Sequence, residues 1–147
     1  MTPRQREIAA ESYVVYLLAQ AGYDISLQYG ASKAPYDLIA VKGKRFLPIS
    51  IRGSQEGAWM LPVRYKERAT SYDEAIDRWL ATQRDDVVLA FVQLVGPVLG
   101  NTPQVYLARP VEVVIHLKSQ RHESSSSRHT DSLPPNWRFS LNRVDAI

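Results

Sequence analysis

Apolar and polar residues alternate in two short runs near the middle of the chain, which predicts a β-hairpin. The first run separates its side chains onto two strand faces, with Asp37, Ile39 and Val41 on one and Leu38 and Ala40 on the other. The turn Lys42-Gly43-Lys44 contains a glycine, which adopts positive φ without steric cost. The second run divides in the same way, with Leu47, Ile49 and Ile51 on one face and Ser50 and Arg52 on the other. An acid therefore opens one strand, and two polar residues close the next.

Two other segments have the spacing of helices. Pro3 to Ala21 predicts a first helix, which Gly22 ends. Its apolar residues recur every three or four positions, and Ile8, Glu11, Val15 and Leu18 share one face. The apolar stripe is broad and its phase stays open, because Tyr13, Val14, Tyr16 and Leu17 are apolar too. Ser71 and Glu74 form a capping box for a second helix. The apolar face of that helix consists of Tyr72, Ala75, Ile76, Trp79 and Leu80.

The remaining pattern predicts more strands and a returning tail. Tyr23–Leu27, Val87–Val95 and Gln104–Ala108 are strand-like, and the second of these is apolar enough to be buried on both faces. From Pro110 to about Lys118 the sequence suits a helix or a strand. Gln120–Pro135 is rich in serine and proline and predicts a loop. We expect an α/β domain over 1–118, with 119–147 packing back through Trp137, Phe139 and Leu141.

Composition and charge limit the class of protein. The 147 residues are 45% hydrophobic and 22% charged, as expected for one globular domain. No cysteine is present, so disulfides and thiolate metal sites are excluded. No apolar run has the length of a membrane span and the first residues are polar, so we expect a cytoplasmic protein with no membrane partner. The net charge of +3 is compatible with nucleic-acid binding without requiring it.

The predicted element order, αβββαβ over Glu7 to Val95, together with the acid that opens one strand and the polar pair in the next, resembles the PD-(D/E)XK nuclease superfamily. This superfamily includes restriction endonucleases and Holliday-junction resolvases. The resemblance implies a mixed β-sheet flanked by helices. It also implies a site in which strand carboxylates, often joined by a glutamate from the first helix, hold Mg²⁺ beside a lysine.

Carried onto this chain, the resemblance assigns four catalytic positions. Glu11 matches the helix acid and Asp37 the first strand acid, and both would be metal ligands if the site bound Mg²⁺. Ser50 stands at the second acid and Arg52 at the lysine. Serine supplies no negative charge and is a poor Mg²⁺ ligand, and arginine cannot serve as a base. The guanidinium group can still hold a phosphate.

Purely structural interpretations of the same acids remain open. Asp37 could cap a turn or pair with Arg52 across the hairpin. Glu11 could pair with Arg52 or with a tyrosine hydroxyl, because a carboxylate on an apolar face needs a partner. Conversely, migrated side chains could replace the missing acid and lysine, and the candidates are Lys42, Lys44, Glu56, Lys66 and Glu67.

These observations favour a nuclease-like protein with a degraded site that binds DNA without cutting it. The first alternative is an active Mg²⁺-dependent endonuclease with migrated residues, and the second is a protein-interaction module on the same frame. A homodimer is compatible with either DNA-binding hypothesis. Candidate nucleic-acid contacts are Lys42, Lys44, Arg52, Trp59, Arg64 and Lys66. Trp59 could stack on a base, although a position in the core or in a lid is the commoner role for tryptophan.

Overall fold

The computed structural model describes residues 1–28, 35–55, 57, 59, 71–94, 101–123 and 133–147. Within these ranges the elements, numbered in chain order, are α1 (Pro3–Gln20), β1 (Asp24–Leu27), β2 (Leu38–Lys42), β3 (Arg45–Ser54), α2 (Tyr72–Ala81), β4 (Val88–Gln93), β5 (Gln104–Ala108), α3 (Pro110–Glu123), a 3₁₀ turn (Pro135–Trp137) and α4 (Leu141–Ala146). Within the predicted loop Gln120–Pro135, residues 124–132 lie outside the described residues.

The strands form one mixed sheet in the order β1-β2-β3-β4-β5. The β1–β2, β2–β3 and β4–β5 pairs are antiparallel, and the β3–β4 pair is parallel. A parallel pair needs a long crossover connection, and α2 belongs to the crossover between β3 and β4. The α/β class predicted from the sequence is confirmed, and the described elements begin in the order αβββαβ.

The central hairpin forms as the alternation predicts. Lys42 pairs with Arg45 around a turn in which Gly43 has a φ of 62°. Pro48 lies inside β3, where its missing N–H is harmless. The neighbouring Ile49 directs its carbonyl oxygen toward β2, so the nitrogen of Pro48 faces the opposite side of the strand. Pairing with β4 begins only at Ile49, and no ladder bond is therefore lost.

Helix α1 packs on one face of the sheet, over a core that includes Leu38, Ile49, Ala90 and Leu107. Its buried stripe is Ala10, Val14 and Leu18. The predicted stripe was therefore in the wrong phase. Ile8 is 50% exposed, and Glu11 lies beside the true stripe, half buried. Apolar residues occupy nearly every side of α1, so the contact with the sheet selects the phase. At that contact Ala10 and Gly53 fit closely, because a Cβ on Gly53 would lie 2.9 Å from the Ala10 Cβ.

A second apolar cluster lies on the opposite face, between β4, β5, α2 and α3. The predicted apolar face of α2 is confirmed, since Ala75, Ile76 and Trp79 are buried. Ser71 caps the helix, and its Oγ accepts a 3.1 Å hydrogen bond from the N–H of Glu74. The segment after Pro110, for which the sequence suited a helix or a strand, is a helix. It continues past Lys118, where the sequence predicted its end, to Glu123.

The C-terminal segment passes around β5 from one face of the sheet to the other. Trp137 is buried in the second cluster, and Val144 is buried in the first. Between them, the N–H of Phe139 donates to the carbonyl oxygen of Val105 at 2.8 Å and covers part of the β5 edge. The predicted anchoring by Trp137 and Phe139 is confirmed. The prediction for Leu141 was wrong, because this side chain begins α4 and is 60% exposed.

None of the described helices has the length and apolar character that crossing a membrane requires.

Candidate functional site at the end of the hairpin

The strand register brings Asp37 against Ser50, at the end of the hairpin away from its turn. The backbone N–H of Asp37 donates to the carbonyl oxygen of Ile49 at 2.8 Å. Its side-chain Oδ2 accepts a 2.7 Å hydrogen bond from the N–H of Ile51. Asp37 thus binds both chain neighbours of Ser50. The acid that opens β2 and the serine that stands at the second acid position of the resemblance are therefore adjacent.

The carboxylate of Asp37 has a structural task at this point. Residues 35–37 bend away from the regular β2–β3 ladder, which would leave the N–H of Ile51 without a backbone acceptor on β2. The Asp37 side chain supplies that acceptor. This contact resembles the turn-capping alternative more than the cross-hairpin pair with Arg52. It still leaves the second carboxylate oxygen available to another group.

Ser50 and Arg52 point to the sheet face opposite α1. Gly53 faces Ala10 of α1, so strand alternation directs the flanking Arg52 and Ser54 to the other side. There Arg52 pairs in register with Phe91 of β4, and Ser50 pairs with Leu89. Arg52 is exposed, while Ser50 is half buried. The Arg52 side chain therefore leaves the sheet on the same face as the second apolar cluster.

Glu11 approaches the sheet from the α1 side. Its side chain is half buried, and both it and Arg52 interact with neighbouring groups. Glu11 therefore starts from one face of the sheet, and Ser50 and Arg52 start from the other. All three lie near the end of β3 where Gly53 contacts α1.

The described residues do not provide a ready-made metal site. Across the described ranges, no group of three or more histidine, aspartate or glutamate side chains is arranged to hold a metal ion. Ser50 contributes no charge, and one oxygen of Asp37 is occupied by the Ile51 N–H. Because Mg²⁺ requires several hard oxygen ligands, this donor set does not fit it. The candidate replacements Glu56, Lys66 and Glu67 lie outside the described residues.

The candidate nucleic-acid contacts differ in their surroundings. Lys44 is exposed in the hairpin turn. The ammonium group of Lys42 donates to the carbonyl oxygen of Ala21 at 3.1 Å and lies 3.5 Å from Asp145, so it ties the hairpin to the C-terminal helix. Arg64 and Lys66 are outside the described residues. Arg52 is also exposed, and it interacts with neighbouring groups.

Trp59 is half buried and packs against an aromatic cluster. Its ring meets that of Phe91 edge-on, with centroids 5.2 Å apart and an interplanar angle of 73°. Phe91 stacks on Trp137 at 6.5 Å and 19°, and His116 meets Trp137 edge-on at 5.2 Å. The four rings are therefore arranged alternately parallel and nearly perpendicular.

A small cleft, with room for about one water molecule, lies along these rings. The other side chains that line it come from α3 and from the start of the tail: Val113, Leu117, Gln120 and Leu133. Sequence reasoning missed this cleft, because its walls come from four separate parts of the chain. The available signal was the spacing of His116 and Gln120, which places both side chains on one face of a helix.

The chain matches no protein-family model and no curated protein.

Proposed function

We propose that this protein is a DNA-binding domain built on a PD-(D/E)XK nuclease-like frame, with a site that no longer cuts. The observation that carries the proposal is the contact of Asp37 with both neighbours of Ser50. In the superfamily that the sequence resembles, the corresponding two positions are acids that share Mg²⁺. Here one of them is a serine, and the partner acid instead supports the backbone of the next strand.

The order of the elements and the direction of the strands agree with this frame. A helix, three antiparallel strands, a second helix and a parallel fourth strand follow one another in the described chain. Arg52, at the position of the superfamily lysine, keeps a positive charge on the exposed face. A guanidinium group cannot act as a base, but it binds phosphate oxygens in a bidentate manner. Loss of cutting with retention of phosphate binding follows from these two substitutions.

The test compares binding and cleavage in one preparation. Supercoiled plasmid and a branched DNA are incubated with the full chain and with Mg²⁺ or Mn²⁺, beside the Asp37→Ala variant. The proposal predicts retarded but uncut DNA for the wild-type protein. Cleavage that disappears in Asp37→Ala would contradict the proposal and would establish the active-nuclease alternative. Absence of binding to both DNAs at low salt would favour the interaction-module alternative.

A restoring variant sharpens this test. The double change Ser50→Glu with Arg52→Lys supplies the missing acid and lysine at the positions that the resemblance assigns. Because Asp37 already lies against position 50, the double variant gains one carboxylate and so has two on neighbouring strands, and protein sites for such cations use one or two carboxylates. We expect Mn²⁺ to raise the Tm of the double variant alone. Adding Asp37→Asn should remove that effect.

A further inference from the structure

The solvent side of α1 carries no charged side chain over most of its length. The stretch 8–20 is described throughout, and its exposed residues, which form the outward face of α1, are Ile8, Ser12, Tyr16, Ala19 and Gln20. The one charged residue of this stretch is Glu11, which is half buried and interacts with neighbouring groups. A surface helix normally places charged residues opposite its buried stripe. Depletion of charge on the outward side is instead typical of the centre of a protein–protein interface.

Two large side chains of this outward face extend into solvent. Ile8 is 50% exposed and Tyr16 is 58% exposed. They are eight residues apart with Ser12 midway, so the three side chains form one row along the helix. Tyr13 stacks on Tyr16, with ring centroids 6.3 Å apart and an interplanar angle of 24°. Because this contact orients the Tyr16 ring in advance, placing the ring in an interface costs less entropy.

The row is complementary to a second copy of itself that runs in the opposite direction. A two-fold contact requires that residue i of one chain meets residue j of its partner and that j meets i. When Ser12 lies on the axis of an antiparallel pair, Ile8 lies opposite the partner's Tyr16 and Tyr16 opposite the partner's Ile8. Serine at the crossing point is small, so the backbones can reach the separation of about 8–10 Å between axes that packed helices adopt.

The charges at the two ends of α1 favour the same direction. Arg4 and Arg6 outnumber Glu7 in the first two turns, and the last turn contains no basic residue. The exposed Asp24 lies just beyond the C-terminal end. The carbonyl groups of that end carry partial negative charge. An antiparallel pair places each basic end beside the negative end of the other helix, whereas a parallel pair would place like ends together.

We propose that the outward face of α1 joins two copies of this protein in an antiparallel, two-fold dimer with Ser12 on the axis. The proposal does not depend on DNA binding. A single pair of helices buries less surface than the standard interface of about 1,600 Å². The dimer is therefore weak, with a dissociation constant on the order of 10 μM.

The first experiment measures the mass of the protein in solution without DNA. Sedimentation equilibrium of the wild-type chain, at concentrations on both sides of that dissociation constant, should show the average mass rising from one chain toward two. Ser12→Glu places like charges together at the axis and should raise the dissociation constant about tenfold or more. Ser119→Glu makes the same change at an exposed serine of α3 and should leave it unchanged. The mass of one chain at every concentration, or equal dimerisation of all three proteins, would overturn the proposal.

The second experiment tests the direction of the helices by cross-linking, because the chain contains no cysteine of its own. A disulfide forms between cysteines whose Cα atoms are about 4.4–6.8 Å apart. Under mild oxidation Ser12→Cys should give a disulfide-linked dimer much faster than Ser119→Cys. In a mixture, Ile8→Cys and Tyr16→Cys should cross-link to each other faster than either does to itself. Faster linkage of Ile8→Cys to itself would indicate a parallel pair and overturn the proposed arrangement.

The substituted positions are all exposed, so the variants should keep the fold, and circular dichroism checks this. Neither experiment contains DNA. A monomeric wild-type chain would therefore overturn the dimer and leave the proposed DNA-binding function to its own test.

Discussion

The Asp37 carboxylate and the Ile51 N–H form a 2.7 Å hydrogen bond that closes the end of the central hairpin. The donor is a backbone group, and the acceptor is the acid to which the sequence resemblance assigns a metal-binding role. The bond stabilises the point where β2 bends away from β3. It therefore gives this acid a structural role that requires no metal.

Removing this carboxylate should destabilise the fold. Asp37→Ala leaves the Ile51 N–H without its acceptor, and hydrogen bonds to charged groups contribute about 1–3 kcal/mol. We expect a loss of that size in urea unfolding. Asp37→Asn retains a side-chain oxygen and should lose less. A wild-type or higher stability in Asp37→Ala would show that the acid is held at a stability cost for some other purpose.

The close contact between α1 and β3 predicts a strong effect of a small substitution. In Gly53→Ala the new Cβ would lie 2.9 Å from the Ala10 Cβ and 3.3 Å from the Arg6 carbonyl oxygen. Such overpacking costs about 1–3 kcal/mol. Ala10→Gly alone should cost about 1 kcal/mol through helix propensity. The double variant has no Cβ at position 10 to clash with, so its loss of stability should be smaller than the sum of the two single losses. Losses that add strictly would contradict the contact.

Two residues of the tail should differ sharply when each is replaced by alanine. Trp137 is 4% exposed and contacts Phe91 and His116, so Trp137→Ala should cost about 3–5 kcal/mol. Leu141 is 60% exposed, and Leu141→Ala should change stability by less than about 0.5 kcal/mol. Urea unfolding of the two variants distinguishes an anchored tail from one that rests loosely on the domain, for which both changes would be small.

The link between Tyr23 and the C-terminal helix should make stability depend on pH. A hydrogen bond from Tyr23 at 2.9 Å, followed by the charge of Lys42, lowers the pKa of Asp145 below its ordinary value. Its contribution to stability is therefore present above about pH 4 and is lost as the pH falls through the lowered pKa. Burial, and then the bond to Asp145, raise the pKa of Tyr23, so that contribution is present below about pH 10 and is lost as the pH rises from there through the raised pKa.

The measurement for this link is Tm against pH for three proteins. Asp145→Asn should lose less stability than the wild-type chain between pH 5 and 2.5, because it has no carboxylate to protonate. Tyr23→Phe should flatten the alkaline side of the curve in the same way. Identical curves for the wild type and Asp145→Asn would show that the contact does not couple to folding.

Local signals predicted the parts of the fold that local sequence controls. The hairpin was predictable because Gly43 and the strict alternation on both sides agree, and α2 because Ser71 and its apolar stripe agree. The phase of α1 was not predictable, since its apolar residues permit several stripes and only the fit of Ala10 to Gly53 selects one. The same limit applies to the tail. Trp137 and Leu141 are both apolar, and only packing against the rest of the domain decides which of them is buried.

Some features of the candidate site were likewise predictable from the sequence, and others were not. The adjacency of Asp37 and Ser50 follows from the hairpin register, which the alternation and the turn fix. The bond from Asp37 to the Ile51 N–H depends on a local bend that no residue pattern indicated. The aromatic cleft depends on long-range packing of Trp59, Phe91, His116 and Trp137, and its position beside Arg52 depends on the parallel register of β3 and β4.

The most direct test of the central claim is the salt dependence of DNA affinity with and without the Arg52 cation. Fluorescence anisotropy of a labelled bulged duplex is measured from 50 to 300 mM salt for the wild-type chain, Arg52→Gln and the control Arg78→Gln, which removes an exposed arginine of α2. Each phosphate contact contributes about −0.9 to the slope of log K against log salt for duplex DNA. We predict weaker binding and a slope reduced by about one for Arg52→Gln alone. Equal slopes and affinities for all three proteins would contradict the claim that this site binds DNA.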